Sequence, residues 1–225
     1  METFALVHGA WHGAWCWEPL VRELEARGHR AVAVDLPCDD PEADCRRYAQ
    51  VVVEALGGFE DAVVVGHSLG GLTIPLVPAK RLVFLCGLVP RPGAGVLDPE
   101  DGEPETFVPG FQANPIRDEL GRSYWPDAAA AIEWLYHDCD PETARAAAAR
   151  LRPQGLRPRL DPAPLSAWPG AELVSIVATG DRAISPDWSR WTARERLGIE
   201  PVEIGGGHSP MLARPVELAD LLCRR

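Results

Sequence analysis

The sequence predicts an α/β fold in which a mostly parallel sheet carries helices on both faces. Short apolar runs, such as residues 4–7 and 62–65, alternate with segments of helical periodicity, such as residues 17–24. Strands without alternating polar residues are buried on both faces, which is typical of a parallel sheet covered by crossover helices. A chain of 225 residues is long enough for one domain with an insertion.

The core elements follow in chain order. Apolar or mostly apolar segments predict strands at residues 4–7, 31–34, 62–65, 81–86 and 173–178, and a short strand is predicted at residues 201–204. The first helix is expected to end before Gly28, because glycine tolerates the left-handed conformation of a helix C-terminus. The segment Asp40-Pro41-Glu42 indicates the start of a second helix, running to about residue 56. Pro75 and Pro78 predict that any helix after residue 68 is short or irregular.

Residues 91–168 differ from the rest in composition, so we predict a core of residues 1–90 and 169–225 with a lid or cap inserted at 91–168. The insert opens with many glycines, prolines and acidic residues and is expected to be irregular there. Two helices are predicted after it, one over about 127–136 and one capped by Asp140-Pro141 and running to about 151. Adjacent residues on a helix point in different directions, so His137 and Asp138 are expected to be structural.

Charge and cysteine usage restrict the partners and the compartment. A net charge of −11 argues against nucleic acid or an anionic membrane as partner, since both require a basic face. The six cysteines are dispersed, which predicts no bound metal and free thiols in a reducing cytoplasm. The N-terminus lacks a basic region and no apolar run reaches the length of a membrane span, so neither signal peptide nor membrane anchor is expected. No cofactor is implied, and the oligomeric state stays open.

The segment 65–71, which reads VGHSLGG, is the most informative motif. It follows an apolar strand and contains G-x-S-x-G, the pattern of a serine nucleophile held on a sharp strand-to-helix turn. The turn forces Ser68 into a strained conformation, and a side chain at Gly66 or Gly70 would crowd the neighbouring element. Ser68 is therefore the candidate nucleophile.

A serine nucleophile needs a base and an acid that orients the base. Asp181 comes just after the predicted strand 173–178, and His208 lies in a glycine-rich loop after the strand 201–204. We expect Asp181 to orient His208 and His208 to take the serine proton. His8 and His67 flank the turns, and we expect them to pack or hydrogen-bond rather than do chemistry.

The first strand leads into residues 8–15, HGAWHGAW, whose glycines let backbone amides approach a substrate oxygen. The amides of Ala10 and Leu69 are the candidate donors of an oxyanion hole. Pocket walls are usually apolar and aromatic, so Trp11, Trp125 and Trp134 are candidates for substrate binding. His12 is a further candidate, although a packing role is an equally good interpretation.

The chain resembles the α/β-hydrolase superfamily, and within it the group of small esterases and hydroxynitrile lyases that includes the plant methylesterases. The resemblance covers nearly the whole chain and is carried by six segments: HGAWHGAWCW, GHSLGG, LYHDCDPE, LRPQ, TGDRAISPDW and GGGHSPMLARP. It implies an α/β-hydrolase fold with Ser68 as nucleophile, His208 as base and Asp181 as its partner, and it agrees with the chain order of these residues.

Two positions distinguish the chemistries within this group. The lyases carry threonine after the first histidine of the oxyanion turn and lysine after the catalytic histidine, where this chain has Gly9 and Ser209. The sequence therefore favours a cofactor-free serine hydrolase that cleaves a small carboxylic ester through an acyl-enzyme. Lyase-type or other non-hydrolytic chemistry and a ligand-binding receptor of low turnover are the alternatives.

Overall fold

A computed structural model of the chain describes residues 1–95, 98, 100–113 and 115–224. Within these residues the strands are, in chain order, β1 (Thr3–Val7), β2 (Arg30–Val34), β3 (Val63–His67), β4 (Arg81–Leu85), β5 (Ile116–Arg117), β6 (Ser123–Tyr124), β7 (Glu172–Ala178) and β8 (Val202–Ile204). The α-helices are α1 (Glu18–Ala26), α2 (Cys45–Leu56), α3 (Ala128–Leu135), α4 (Pro141–Ala148), α5 (Arg157–Leu160), α6 (Pro186–Glu195), α7 (Pro210–Ala213) and α8 (Pro215–Leu222).

The main sheet has six strands in the order β2-β1-β3-β4-β7-β8. Every pair of neighbours in it is parallel, which confirms the predicted α/β fold with a parallel sheet. The carboxyl ends of parallel strands lie at one edge of the sheet, so the loops after β1, β3, β7 and β8 come together there. These are the loops that contain the predicted site residues.

Apolar side chains fill both faces of the sheet. On one face Phe4, Leu6, Val63 and Val65 belong to a cluster that includes residues of α1 and α8, and on the other face the alternate residues of the same strands pack with residues of α2. All six cysteines are free thiols, and four of them are buried. No helix in the described ranges is both long and apolar enough to cross a membrane.

The start of α2 differs from the prediction. The helix begins at Cys45, and Asp44 rather than Asp40 is its N-cap, with its side chain accepting a hydrogen bond from the Arg47 amide. The Asp40 carboxylate instead accepts from the Glu42 amide at 2.9 Å and stabilises a turn. Both aspartates bond to the backbone nearby, so the local pattern did not decide which of them caps the helix. The predicted end at Leu56 is confirmed.

Other local predictions agree with the structure. Two short 3₁₀ helices, Ser68–Leu72 and Ile74–Leu76, follow β3, as the prolines after residue 68 predict. Gly28 has a φ of 80° at the end of α1. Ser185 and Pro186 begin α6 through an N-cap and a proline in the first turn, a signal that the sequence analysis left unused.

The predicted insert, residues 91–168, contains β5, β6, α3, α4 and α5, and its first part is irregular in the described residues. Positions 96, 97, 99 and 114 of the insert and position 225 of the core lie outside the described residues. Strands β5 and β6 form a separate antiparallel pair. Helix α4 ends at Ala148, earlier than the predicted residue 151. Whether this segment works as a lid stays a prediction.

The turn after β3 leaves no space for a side chain at Gly70. A Cβ atom there would lie 2.7 Å from the Val7 carbonyl oxygen and 2.9 Å from that of His8, and backbone cannot move aside cheaply. We expect Gly70→Ala to lower the free energy of unfolding by about 1–3 kcal/mol, as overpacking does. Gly170→Ala is the matched control, because nothing lies within 4 Å of a Cβ atom at that position. Urea unfolding measures both, and equal midpoints for the two variants would contradict the close approach.

Candidate active site

Ser68 lies at the turn between β3 and the following 3₁₀ helix. Its φ of 51° is in the left-handed region, which is strained for a residue with a side chain. Gly66 makes the turn possible, since a Cβ atom there would lie 2.8 Å from the Gly70 carbonyl oxygen and from Ile74 Cγ2. Gly9 of the first loop also approaches closely, because a Cβ atom on it would lie 2.7 Å from Ser68 Cβ. The structure thus holds Ser68 in the strained conformation that the motif predicts.

Asp181 and His208 form a buried pair at the ends of β7 and β8. The Nδ1 atom of His208 lies 2.8 Å from Asp181 Oδ2. The other carboxylate oxygen, Oδ1, accepts hydrogen bonds from the amides of Ala183 at 2.7 Å and Ile184 at 3.1 Å. Because Oδ1 is held by the backbone, Oδ2 is directed at the imidazole. The Nδ1 atom of His208 therefore carries the proton in the neutral ring, which leaves Nε2 as the basic nitrogen.

His67 connects the His208 loop to the serine turn. Its Nε2–H donates to the carbonyl oxygen of His208 at 2.8 Å, and the two rings lie 4.7 Å apart between centroids. Burial lowers the pKa of His67 well below its ordinary value, with the nearby His208 as the second cause. His67 is therefore a neutral residue, and its hydrogen bond ties the loop of His208 to the turn that contains Ser68.

Asp138 holds the same loop from the other side. Its Oδ2 atom accepts a hydrogen bond from the Gly207 amide at 2.8 Å, and Arg214 approaches that oxygen at 3.6 Å. A Cβ atom on Gly207 would lie 2.5 Å from the His137 ring and 2.7 Å from Asp138 Oδ1. Asp138 thus contacts the residue that precedes His208, which the sequence analysis did not predict. The glycine run before His208 was the available signal, since it permits a close neighbour.

Two residues next to Ser68 are the predicted donors of the oxyanion hole, Ala10 in the loop after β1 and Leu69 directly after the serine. Both residues line the pocket beside Ser68. The loop is fixed by His12, whose Nδ1–H donates to the Ala10 carbonyl oxygen at 2.7 Å. The Arg152 guanidinium donates to the His12 carbonyl oxygen at 3.0 Å. These bonds fix the loop that contains Ala10, and the role of the Ala10 and Leu69 amides as an oxyanion hole stays a prediction.

His8 and His12 are both committed to hydrogen bonds. His8 accepts from the Leu36 amide at 3.0 Å through Nε2, and His12 accepts from the Tyr136 hydroxyl at 2.8 Å through Nε2. Burial lowers the pKa of His8 to about 4 and that of His12 to about 3. These two rings are neutral and hydrogen-bonded, and His12 supports the loop after β1 through its bond to Ala10.

The pocket beside Ser68 has an empty volume of about 460 Å³, which includes space open to solvent. Its surface is mostly apolar. The described residues that line it are Ala10, Trp11, Ser68, Leu69, Leu88, Phe107, Phe111, Ser123, Gln154, Gly155, Leu156, Arg159, Ala183 and Ile184. Most of the residues from the insert in this set lack any local sequence pattern that would place them in a pocket. They were therefore not predicted.

The predicted aromatic residues occupy different places. Trp11 lines the pocket, and its Nε1–H donates to Ser123. Trp125 packs edge-on against Trp11, with ring centroids 5.5 Å apart, and Trp134 packs against Phe111 at 5.9 Å. Trp125 and Trp134 therefore lie behind the residues that line the pocket. Contact of substrate with the predicted residues, which are Trp11, His12, Trp125 and Trp134, stays a prediction.

The structure brings the serine and histidine loops together without joining their side chains. Among the described residues no hydrogen bond links the Ser68 hydroxyl to the His208 imidazole. Such contacts are often long in an empty enzyme and shorten when substrate binds. Asp181 and His208 are thus paired, while the pairing of His208 with Ser68 stays a prediction. The described residues also contain no cluster of three or more metal-binding side chains.

Comparison with known proteins places the chain in a family. A model of the alpha/beta hydrolase family matches residues 4–221. The chain belongs to the alpha/beta hydrolase family. It is 30% identical to probable esterase PIR7A of Oryza sativa subsp. indica, an alignment covering 99% of this chain and 96% of that protein. It is also 30% identical to salicylic acid-binding protein 2 of Nicotiana tabacum, over 96% of this chain and 94% of that protein.

Solved structures show the same fold. A pyrethroid hydrolase from Sphingobium faniae JZ-2 superposes with a TM-score of 0.82 at 25% identity, over 98% of this chain and 95% of that chain. The methylesterase MES16 from Arabidopsis superposes with a TM-score of 0.77 at 20% identity, over 99% of this chain and 97% of that chain. The α/β-hydrolase fold and the resemblance to esterases are confirmed, and the names of these relatives support the predicted class of enzyme, an ester hydrolase.

The buried histidines make folding depend on pH. Unfolded histidine has a pKa of about 6.5, whereas burial lowers the pKa of His8 to about 4 and that of His12 to about 3. Between these values the unfolded chain binds more protons than the folded protein. Stability that is complete above pH 6.5 is therefore lost as the pH falls toward 4, by at most about 1.4 kcal/mol per pH unit for each histidine.

Urea unfolding at pH 7, 6 and 5 measures this dependence above the range in which most carboxylates titrate. We expect the free energy of unfolding to decrease at each step. A value that stays constant from pH 7 to pH 5 would contradict neutral, buried histidines.

Proposed function

We propose that this protein is a serine hydrolase that cleaves a small carboxylic ester through an acyl-enzyme. The observation that carries the proposal is the pairing of Asp181 with His208 at 2.8 Å, together with a strained Ser68 in a pocket that Ala10 and Leu69 also line. Esterases and methylesterases among the relatives support the same reaction. The mechanism needs no cofactor.

The proposed steps follow the roles of the three side chains. The Ser68 hydroxyl rotates toward His208 Nε2, gives up its proton and attacks the ester carbonyl carbon. The amides of Ala10 and Leu69 donate to the oxyanion of the tetrahedral intermediate. The protonated His208, stabilised by Asp181, gives its proton to the departing alcohol. Water activated by the same imidazole then attacks the acyl-enzyme and releases the acid.

We propose that residues 91–168 act as a lid that shapes the pocket. Phe107 and Ile184 form an isolated β-bridge, and both residues line the pocket. The Phe107 side of the pocket therefore comes from the insert and the Ile184 side from the core. Substrate choice then depends on how the insert lies over the site.

The surroundings of Ser68 favour hydrolysis over lyase chemistry. A Cβ atom on Gly9 would lie 2.7 Å from Ser68 Cβ, so the threonine of the lyases has no space here. Ser209 is fully buried, and no hydrogen-bond partner for its hydroxyl occurs among the described residues. No cation therefore stands at the position where the lyases have lysine.

Ser68→Ala removes the nucleophile, and we expect kcat for an aryl ester such as p-nitrophenyl acetate to fall by a factor on the order of 10⁶. Covalent labelling with a fluorophosphonate probe is a second readout, because the probe should label Ser68 in the wild-type protein and should not label the variant. A loss below about tenfold on a confirmed substrate would exclude Ser68 as nucleophile.

Two further measurements separate the alternatives. Release of cyanide from a cyanohydrin, without cleavage of aryl esters, would assign the lyase chemistry. Failure of the fluorophosphonate to label the wild-type protein would favour a receptor of low turnover. A series of p-nitrophenyl esters of increasing chain length then measures the depth of the pocket.

Asp138 is expected to act as a positioning residue through the loop of His208. Asp138→Ala removes the acceptor of the Gly207 amide, and the loss of one hydrogen bond of about 1–1.5 kcal/mol corresponds to roughly tenfold in kcat/KM. Asp138→Asn keeps an acceptor oxygen and should retain most of the activity. The apparent pKa of the kcat/KM profile is the second readout, because a shift in Asp138→Ala alone indicates a displaced imidazole. Equal losses in the two variants would contradict this role.

A further inference from the structure

One wall of the pocket is polar and takes no part in the chemistry proposed above. It is formed by Gln154 and Arg159, which lie on either side of the start of helix α5. Among the described residues that line the pocket, Arg159 is the only one that carries a charge. This is notable in a chain whose net charge is −11, because most surfaces of such a protein repel anions.

Arg159 lacks an anionic partner in the described part of the chain. Its Nε atom is buried and forms no hydrogen bond. Burial lowers the pKa of Arg159, and the positive charge of Arg117 acts in the same direction. An arginine remains protonated at neutral pH even so. Arg157, two residues earlier on the same helix, is different, because its Nε atom lies 3.0 Å from Asp161 Oδ2.

The other side-chain donors of the wall are already used, and the Gln154 Oε1 atom, which has no partner among the described residues, can only accept. The Gln154 amide nitrogen donates to the Tyr48 hydroxyl at 3.0 Å and to the Gly155 carbonyl oxygen at 2.7 Å. The Ser123 hydroxyl accepts from Trp11 Nε1 at 3.1 Å and donates to the Gln154 carbonyl oxygen at 3.4 Å. The guanidinium of Arg159 is therefore the donor of this wall that is left for a ligand.

A partly buried cation without a partner costs free energy that a bound anion recovers. The planar guanidinium fits a carboxylate particularly well, since two parallel N–H groups can donate to its two oxygens. We propose that Arg159 binds a second, negatively charged group of the substrate, so that the enzyme prefers esters that also carry a free carboxylate. This inference rests on the proposed ester hydrolysis at Ser68 and adds the class of ester.

Pairs of esters in which one member has a terminal carboxylate and the other a terminal methyl group test the inference. In the first pair the carboxylate belongs to the acyl part, as in monomethyl adipate against methyl hexanoate. In the second pair it belongs to the alcohol part, as in 4-acetoxybutanoate against butyl acetate. We expect a kcat/KM at least about tenfold higher for the anionic member of one pair, which identifies the side of the ester that faces Arg159. The difference should lie mainly in KM, because Arg159 is not expected to contact the reacting carbonyl.

Arg159→Gln should lower kcat/KM for the preferred anionic ester by about 10- to 100-fold, and change that for its neutral counterpart by less than about threefold. Arg159→Lys keeps the charge without the planar fork and should recover part of the loss. Arg157→Gln is the matched control from the same helix, and we expect it to leave the preference unchanged.

Equal kcat/KM for the anionic and neutral members of both pairs would overturn the inference. So would an Arg159→Gln variant that loses the same factor on both members, since that result indicates a structural role. Binding of adipate, measured by calorimetry, gives a readout that does not depend on turnover. We expect binding to the wild-type protein and a loss of at least about tenfold in affinity in Arg159→Gln.

The outcome also separates this inference from the proposed function. Turnover of neutral esters that requires Ser68, without any preference for anions, would leave the hydrolase in place and remove the role of Arg159. Adipate binding that requires Arg159, without turnover of any ester, would keep the role of Arg159 in binding anions and remove the proposed hydrolase.

Discussion

The buried carboxylate of Asp181 is the group on which the rest of the site depends. A buried charge is stable only when hydrogen bonds replace its lost hydration, and here the amides of Ala183 and Ile184 and the imidazole of His208 do so. The same three bonds fix the turn after β7, the tautomer of His208 and the position of Ile184 in the pocket wall. One side chain thus couples the orientation of the His208 imidazole to the shape of the pocket.

The segment 91–168 contacts the loops after β1, β7 and β8. Tyr136 bonds to His12 after β1, Asp138 bonds to Gly207 after β8, and Phe107 bridges to Ile184 after β7. The segment is also tied to α6, because Glu103 accepts from Trp188 Nε1 at 2.6 Å and from Arg196 at 2.7 Å. The insert and the core therefore form the pocket jointly.

Much of the fold could be predicted from the sequence because its signals are local. Short, mostly apolar segments identified all six strands of the main sheet, and the turn at Ser68 followed from two glycines and a preceding strand. The start of α2 was wrong because Asp40 and Asp44 both bond to nearby amides, and only the tertiary structure decides between them. The pairing of Asp181 with His208 was accessible because residues at the ends of neighbouring parallel strands meet at one edge.

The pocket residues that come from the insert could not be predicted for the opposite reason. Arg159 lies in a helix of four residues, too short for any periodicity, and its place beside Ser68 results from long-range packing. Asp138 adjoins His137 in sequence, and nothing local shows that both contact the glycines before His208. Side chains that shape a pocket from an insert have no motif of their own, so their roles emerge only from the structure.

The contact between Gly9 and Ser68 constrains how this protein can evolve. A methyl group at residue 9 would meet Ser68, the proposed nucleophile, at 2.7 Å from its Cβ atom, and the ring of His67 at 3.0 Å. A mutation to threonine at residue 9 would disrupt this packing before any benefit from lyase chemistry could be selected. The two loops would first have to separate through changes elsewhere, so the order of substitutions toward a lyase is restricted by geometry.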